Sequence, residues 1–209
     1  MADISVFEAI DTQRAIRGFA SDSVPDHAIA RIIAAATLGP SGGNRQPWSF
    51  IVIREPETKR RMEKIFHQEA LEAHTDPTDA EYASQPAIEA GEELMLSLTE
   101  VPVLIMACVY PKADQDRAPA GCISHHAAGA IYPAIQNLML EARGLGLGTC
   151  VTTRFLRHEA EFKTLLGIPD EIDPKALIPM GYPGEGQHFG GSRRKPVEEV
   201  TFYERWGRR

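Results

Sequence analysis

The strongest constraint on the fold is the apolar run Val103–Val109, VLIMACV, which contains no polar side chain. The run has the length of a strand, but it does not alternate apolar with polar residues as a strand with one wet face does. It therefore predicts a central strand that is covered on both faces. The chain has 209 residues, 43% of them hydrophobic, which is enough to bury that strand in one full core. We predict a single domain over residues 1–209.

Further helices and strands are predicted on both sides of this run. Ser23 is a candidate N-cap for a helix whose apolar residues at positions 29, 32, 33 and 36 fall on one face, and which ends before Gly39. Helices are also predicted at residues 57–72, 126–143 and 158–166. The helix at 126–143 is expected to be the central buried one. Residues 49–53 predict a buried strand, and residues 148–153 and 176–182 predict two more. The last of these carries Pro179, so it is expected to be irregular or at an edge.

Three segments lack the pattern of a packed element. Residues 73–93 are polar with few apolar anchors, so they form a candidate lid that cannot fix itself rigidly. Residues 112–121 predict a loop. The tail, residues 196–209, alternates apolar and polar residues poorly, and we interpret it as a candidate arm that reaches a partner.

Composition argues against several classes of protein. The net charge of -7 disfavours a nucleic-acid partner, because affinity for phosphates comes from clustered Lys and Arg. Cys108, Cys122 and Cys150 form no CxxC pair, so free thiols in a reducing compartment are expected. His125 and His126 have no partners at ligand spacing, so no metal site is predicted. The chain shows neither a signal peptide nor the roughly 20 apolar residues of a membrane helix, and the expected location is the cytoplasm.

Residues 12–19, TQRAIRGF, carry the first candidate binding group. Arg14 and Arg17 are three residues apart, so their guanidinium groups lie on the same side if the segment is helical or turn-like. Two converging guanidinium groups suit a phosphate or the electron-rich edge of a ring, since each offers paired donors. The plainer interpretation is a solvated basic helix end.

Residues 38–50, LGPSGGNRQPWSF, carry the second candidate group between a predicted helix and a predicted strand. Ser41, Asn44 and Gln46 supply hydroxyl and amide groups, and Gly42 permits close backbone approach to a ligand. Such a lining suits a flat heterocycle with alternating donors and acceptors. The alternative is a plain glycine turn.

Two further segments need a different interpretation. Residues 143–149, RGLGLGT, follow a helix and precede a strand, which is the reverse of the dinucleotide fingerprint, so they predict a tight helix-to-strand turn. Near the end of the chain, Arg193, Arg194 and Lys195 stand in a glycine-bearing loop. Taken alone, these three cations predict a solvated charge run.

Together, four segments resemble the FMN-dependent nitroreductase family. They are residues 12–19, PSGGNRQPWSF at 40–50, AIQNLMLEARGLGLGT at 134–149, and an ending with MGYP at 180–183 and RRKP at 193–196. They occur in the family's order over nearly the whole chain, and PSGGNRQPW is the most specific. The resemblance implies an α+β fold with a central, mostly antiparallel sheet flanked by helices. It also implies a homodimer with an exchanged C-terminal arm, in which both subunits build each flavin site.

The resemblance implies FMN as the cofactor and assigns residues to it. The implied cofactor-binding residues are Gln13, Arg14, Ala15, Arg17, Ser41, Gly42, Asn44, Gln46, Val151, Thr152, Thr153, Arg193 and Arg194. Arg14 and one of the two late arginines hold the phosphate, Arg17 lies near the pyrimidine edge, and residues 151–153 lie beside the reactive nitrogen. Ser41 is expected to reach the site of the other subunit. A fixed positive charge at Arg17 would stabilise the anionic reduced flavin.

The chain departs from the family pattern at both ends of this site. Gln13 and Ala15 stand where many members have a basic residue and a serine, which weakens the expected phosphate contacts. Thr153 and Arg154 stand where some members have an acidic residue and a glycine. A bulky cation therefore borders the expected flavin, and the substrate preference is expected to differ.

The implied activity is transfer of electrons from NADH or NADPH to an electron-poor acceptor such as a nitroaromatic or a quinone. Two alternatives stay open. One is a non-enzymatic flavin-binding or flavin-storing protein whose lid covers the ring. The other is a specialised family member, which cleaves flavin, removes a halogen or oxidises an azoline.

Overall fold

A computed structural model of the chain describes residues 4–71, 85–110 and 123–209. The helices are α1 (Val6–Thr12), α2 (Asp26–Thr37), α3 (Pro56–Leu71), α4 (Gln85–Met95), α5 (Ile123–Gly144), α6 (Glu159–Leu166) and α7 (Val197–Val200). The strands are β1 (Trp48–Ile53), β2 (Val103–Val109), β3 (Gly148–Thr149) and β4 (Asp173–Gly181). Short 3-10 turns cover Gly42–Asn44, Leu98–Glu100 and Arg154–His158.

The strands form one antiparallel sheet in the order β1-β2-β4-β3 within the described residues. Strand β2 lies inside the sheet, and every one of its residues is buried. The prediction of a central strand covered on both faces is confirmed. The predicted buried strand at 49–53 is correct as a strand, but β1 has β2 as its single neighbour in the sheet and is only partly buried.

Successive residues of β2 face two different hydrophobic cores, because side chains alternate across a strand. Val103, Ile105 and Ala107 pack in the core beneath α2 and α5, whereas Leu104 and Met106 pack in the core on the other face, among residues of α3, α4 and α6. Helices therefore cover both faces of the sheet. This layering explains why β2 tolerates no polar residue.

Helix α5 is the central helix, as the spacing of its apolar residues predicts. Ile131, Ile135 and Leu138 are fully or almost fully buried in the first core. A Cβ added at Gly39 would lie 3.0 Å from the backbone of Ala134, so the turn after α2 approaches this helix closely. Helix α5 packs on both α2 and the sheet, and it therefore holds α2 against the sheet.

One boundary prediction is wrong, and another is confirmed in one of its two alternatives. Helix α2 begins at Asp26 with Pro25 at the N-cap position and no side-chain cap, so Ser23 is not the cap. Strand β4 carries Pro174 and Pro179 and is internal rather than at an edge, but the alternative that we predicted, an irregular strand, is confirmed. Pro174 is tolerated because the register with β2 shifts beside it, between Ala107 and Cys108.

Pro179 explains why β3 is shorter than the predicted strand 148–153. The Cys150 amide donates to the Pro179 carbonyl oxygen at 3.2 Å, but proline has no N–H with which to return the bond. Regular pairing stops at Thr149 and resumes as a single bridge between Thr152 and Leu177. The segment thus continues along β4 in register without forming a full ladder.

No helix in the described ranges 4–71, 85–110 and 123–209 is long and apolar enough to cross a membrane. The tail forms the short helix α7 and leaves four large apolar side chains exposed: Val197, Val200, Tyr203 and Trp206. Trp206 is 90% exposed. An exposed tryptophan at the end of a chain is consistent with an arm that meets a partner, and the exchange of that arm stays a prediction.

Candidate functional site

The segment that carries Arg14 and Arg17 is extended rather than helical. Helix α1 ends at Thr12, and Gln13 already has extended backbone angles. Ala15 forms a parallel bridge with Thr149, and the Ile16 amide donates to the Thr149 carbonyl oxygen at 3.0 Å. The helical spacing that would place both guanidinium groups on one side is therefore absent. The predicted contacts of Arg14 and Arg17 with a ligand stay predictions.

The extended segment borders the chain that continues β3. The amides of Cys150 and Thr152 donate to the carbonyl oxygens of Pro179 and Leu177, so they point toward β4. In an extended chain the intervening amides point the opposite way. The Val151 amide, which lies between them, consequently points away from β4, while Thr153 has left the extended conformation and begins the turn at Arg154–His158.

Arg17 lies beside this edge, where its guanidinium group contacts the thiol of Cys150. Burial raises the pKa of the Cys150 thiol, and the Arg17 guanidinium, which is hydrogen-bonded to that thiol, offsets part of the rise. Arg17 has no carboxylate partner within the described ranges. Its charge therefore stands beside the open edge of residues 151–153.

The late cationic loop, which carries Arg193, Arg194 and Lys195, contacts the same region at the end of α1. The Gly190 amide donates to the Thr12 carbonyl oxygen at 2.9 Å, directly before Gln13 and Arg14. Arg193 and Arg194 follow this anchor and are exposed. Arg194 donates to the Arg193 carbonyl oxygen at 3.3 Å. Over the described parts of the chain, no ion pair is recorded for Arg14, Arg193 or Arg194, so these cations are available to an anion.

Residues 41–46 form an exposed loop with its own internal bonds. The Gln46 amide donates to the Ser41 hydroxyl at 3.1 Å, and the Gln46 side chain donates to the Asn44 side chain at 3.3 Å. Asn44 and Gln46 have positive φ angles of 53° and 49°, which cost strain in residues other than glycine. No bond in the described structure joins Ser41, Asn44 or Gln46 to residues 13–17, 151–153 or 190–194.

The glycine-rich residues 143–149 form the predicted helix-to-strand turn. Gly146 has a φ of 77°, and the Leu147 amide returns to the Ala142 carbonyl oxygen at 2.8 Å. A Cβ on Gly148 would lie 2.7 Å from the Ile16 side chain. Gly148 therefore lets the extended segment lie directly on β3, and these glycines serve packing rather than a dinucleotide.

A pocket of ≈ 330 Å³ has Arg17 in its lining. Its lining combines residues 17–19 with α4 and residues 184–187, and it includes the acidic residues Glu93, Glu100 and Glu185. Sequence analysis missed this pocket because the lining segments are far apart in the chain and none carries a motif. The lining mixes both charges, which by itself defines no ligand.

Part of the candidate lid is structured. Residues 85–93 belong to helix α4, whose end is anchored in the second core by Leu94 and Met95. Residues 73–84 lie outside the described residues, and the role of residues 73–93 as a lid stays a prediction. Arg154 donates to Glu92 at 3.2 Å, so α4 is tied to the turn that follows residues 151–153.

The sequence model described as "Nitroreductase family" matches residues 10–182, a span that contains most of this site. The chain belongs to the nitroreductase family. A protein of Methanothermobacter thermautotrophicus, named provisionally as an NADH dehydrogenase/NAD(P)H nitroreductase, is 28% identical over 208 residues, covering 99% of this chain and 90% of that protein. The iodotyrosine deiodinase of Nematostella vectensis is 27% identical, covering 93% of this chain and 73% of that protein.

Two solved structures have a similar fold. The NADPH:FMN oxidoreductase of Vibrio harveyi, solved with NAD+, has a TM-score of 0.74 at 18% identity, over 96% of this chain and 77% of that one. A BluB-like flavoprotein from Clostridium difficile has a TM-score of 0.73 at 22% identity, over 97% of this chain and 100% of that one. The predicted family and its α+β fold are confirmed, and the nitroreductase family makes the chain an oxidoreductase.

Proposed function

We propose that the chain is an FMN-dependent oxidoreductase that passes electrons from NADH or NADPH to an electron-poor acceptor such as a nitroaromatic or a quinone. The observation that carries the proposal is a meeting of three segments in a nitroreductase-family chain. Residues 13–17 lie on β3, the open edge at 151–153 continues from it, and the cationic loop is bonded to Thr12. The names of relatives, which include an NAD(P)H nitroreductase and an NADPH:FMN oxidoreductase, support it.

The cations and backbone hydrogen-bond donors of this region fit both the phosphate and the ring of FMN. A phosphate needs cations that no carboxylate already neutralises, and Arg14, Arg193 and Arg194 have no recorded ion pair among the described residues. A flat ring needs backbone donors along one edge, and we propose that the backbone of residues 151–153 supplies them. The remaining implied contacts, Gln13, Ala15, Arg17 and Thr152, come from the same two segments.

When bound, FMN supplies the two-electron chemistry, and the protein supplies binding, orientation and charge. Arg14 and the late arginines hold the phosphate, while the backbone of residues 151–153 orients the ring. The guanidinium of Arg17 adds a fixed positive charge that favours negative charge on the pyrimidine side. Arg154, tied to Glu92, borders the space that an acceptor enters.

The functional unit that we propose is a homodimer. Within the described residues, Ser41, Gly42, Asn44 and Gln46 make no hydrogen bond to the other predicted site residues, and we propose that they complete the site of the other subunit. Among the described residues, strand β1 pairs along one edge only, and the tail at residues 196–209, with its exposed apolar side chains, is long enough to pack against a second chain. The exchange of this tail belongs to the same proposal.

The first test is an absorption spectrum of the purified protein, loaded with FMN if it is isolated colourless, followed by anaerobic addition of NADH or NADPH. We expect flavin bands that bleach with one or both nucleotides and return when a nitroaromatic or quinone is added. A protein that cannot be loaded with FMN would contradict the proposal. Bound flavin that neither nucleotide reduces would instead favour a storage protein.

A specialised reductive dehalogenase is a second candidate, because relatives named iodotyrosine deiodinase match 93% of this chain at 25% to 28% identity. The spectrum does not separate the two activities, since both use reducible flavin. Iodotyrosine and a nitroaromatic should therefore be compared as acceptors at equal concentration with dithionite-reduced protein. Faster turnover of iodotyrosine would replace the general reductase by the specialised one.

A further inference from the structure

We infer that Arg143 is the positioning residue that assembles the phosphate end of the cofactor site. Its guanidinium group ties the start of the late cationic loop to the end of α1, so that the arginines on both segments face one anion. The inference rests on the proposed function and goes beyond it, because Arg143 is outside the set of residues that the family resemblance assigns to FMN.

Arg143 makes three contacts from the last turn of α5. Its Nε donates to the hydroxyl of Thr12 at 2.8 Å, and its Nη2 lies 3.5 Å from a carboxylate oxygen of Glu8. Its Cζ lies 4.1 Å from the centre of the Phe189 ring. The Arg143 side chain is only 12% exposed, whereas the Glu8 side chain is 51% exposed, so the guanidinium group itself is largely shielded from water but its ion pair is not.

The three contacts join two segments that are far apart in the sequence. Thr12 directly precedes Gln13 and Arg14, and its carbonyl oxygen accepts the bond from Gly190. Phe189 directly precedes Gly190 and the loop with the two late arginines. One guanidinium group therefore lies at the junction of both predicted phosphate-binding segments.

Arginine suits this position better than lysine does. A planar guanidinium donates along its edge while its face stacks on an aromatic ring, and Arg143 uses both surfaces. A lysine ammonium at the same place keeps the charge but cannot stack and donate in these two directions. Because Glu8 partly neutralises Arg143, we assign it to positioning rather than to direct contact with the phosphate.

A purely structural role makes a different prediction. A cation in the last turn stabilises any helix through its dipole, and loss of that effect would weaken the whole fold without regard to the ligand's phosphate. A positioning role acts on the phosphate alone. FMN and riboflavin share the ring and differ in the phosphate, so their affinity ratio separates the two roles.

The experiment measures the Kd of the flavin-free protein for FMN and for riboflavin by quenching of flavin fluorescence. We expect Arg143→Gln to raise the Kd for FMN about tenfold or more while that for riboflavin changes by less than about threefold. Arg143→Lys should recover only a small part of the loss. Phe189→Leu and Thr12→Val each remove one contact from outside α5, and both should weaken FMN selectively.

The matched control is Arg60→Gln, which breaks an exposed ion pair with Glu57 on α3 and should leave both affinities unchanged. If Phe189→Leu and Thr12→Val weaken the binding of FMN and riboflavin equally, or leave both affinities unchanged, the inference is overturned, even if Arg143→Gln fails to fold. Wild-type protein that binds neither flavin would overturn the proposed function itself. The two failures are therefore distinguishable.

Discussion

At the scale of single residues, Cys108 shows what full burial does to an ionisable group. The residue is 1% exposed and packs in the second core from the middle of the sheet. Burial raises the pKa of its thiol from 9.0 to about 11, with Asp173 adding to the rise and Lys163 opposing it. The folded protein thus keeps a proton that the unfolded chain releases.

We predict a loss of stability at alkaline pH from this thiol. Below pH 9 both states hold the proton, and between pH 9 and about 11 only the folded state does, so the free energy of unfolding falls as the pH rises through that window. One such group contributes at most about 1.4 kcal/mol per pH unit. Urea unfolding at several pH values should show a shallower fall for Cys108→Ala than for the wild type. Identical slopes would show that the thiol ionises equally in both states.

At the scale of elements, the contact of residues 13–17 with β3 depends on the missing side chain of Gly148. A Cβ there would lie 2.7 Å from both Cβ and Cγ1 of Ile16. Rotation of the isoleucine cannot move its Cβ, so the backbone itself would have to shift. The bridge between Ala15 and Thr149 is the contact that this shift would disturb most directly.

We predict that Gly148→Ala lowers the free energy of unfolding by about 1 to 3 kcal/mol, as overpacking of a core does. It should also weaken FMN binding, because residues 13–17 move off β3. Denaturant unfolding and flavin titration measure the two effects. Gly144→Ala is the control, since an added Cβ there meets nothing within 4 Å and is expected to be neutral or slightly stabilising. Equal stability of both variants would contradict the close contact.

At the scale of the whole molecule, large apolar side chains are exposed on α1 and directly after α2. Phe7, Ile10 and Leu38 are 75%, 58% and 81% exposed. Val6 and Leu38 line one groove of ≈ 350 Å³ together with residues of α5. An exposed apolar face of this kind is typical of a surface that another chain covers.

We predict a dimer by light scattering and a monomer for the double variant Phe7→Asp/Ile10→Asp. The variant should also lose most of its FMN affinity, because Ser41, Asn44 and Gln46 would no longer reach the second subunit's site. Lys64→Asp, an equally acidic change on the exposed side of α3, is the control and should leave the dimer intact. A wild-type monomer that binds FMN tightly would contradict the shared site.

The local pattern of residues determined much of the architecture. The run at 103–109 indicates a strand buried on both faces, and the spacing of apolar residues in 126–143 indicates the central helix. The glycines of 143–149 indicate a helix-to-strand turn. Each of these follows from neighbours within a few positions, because side-chain periodicity and backbone freedom are local properties. The PSGGNRQPW segment indicates the family for a different reason, since it matches a known pattern.

Only the tertiary structure decided which distant segments meet. The internal position of β4, the early end of β3 opposite Pro179, and the extended course of residues 13–17 all depend on pairing partners far away in the chain. The same holds for Arg143, whose importance appears only when Thr12 and Phe189 are seen beside it. The reason is physical: hydrogen bonds and ring contacts between remote segments form when the chain closes long loops, and no local periodicity encodes the outcome.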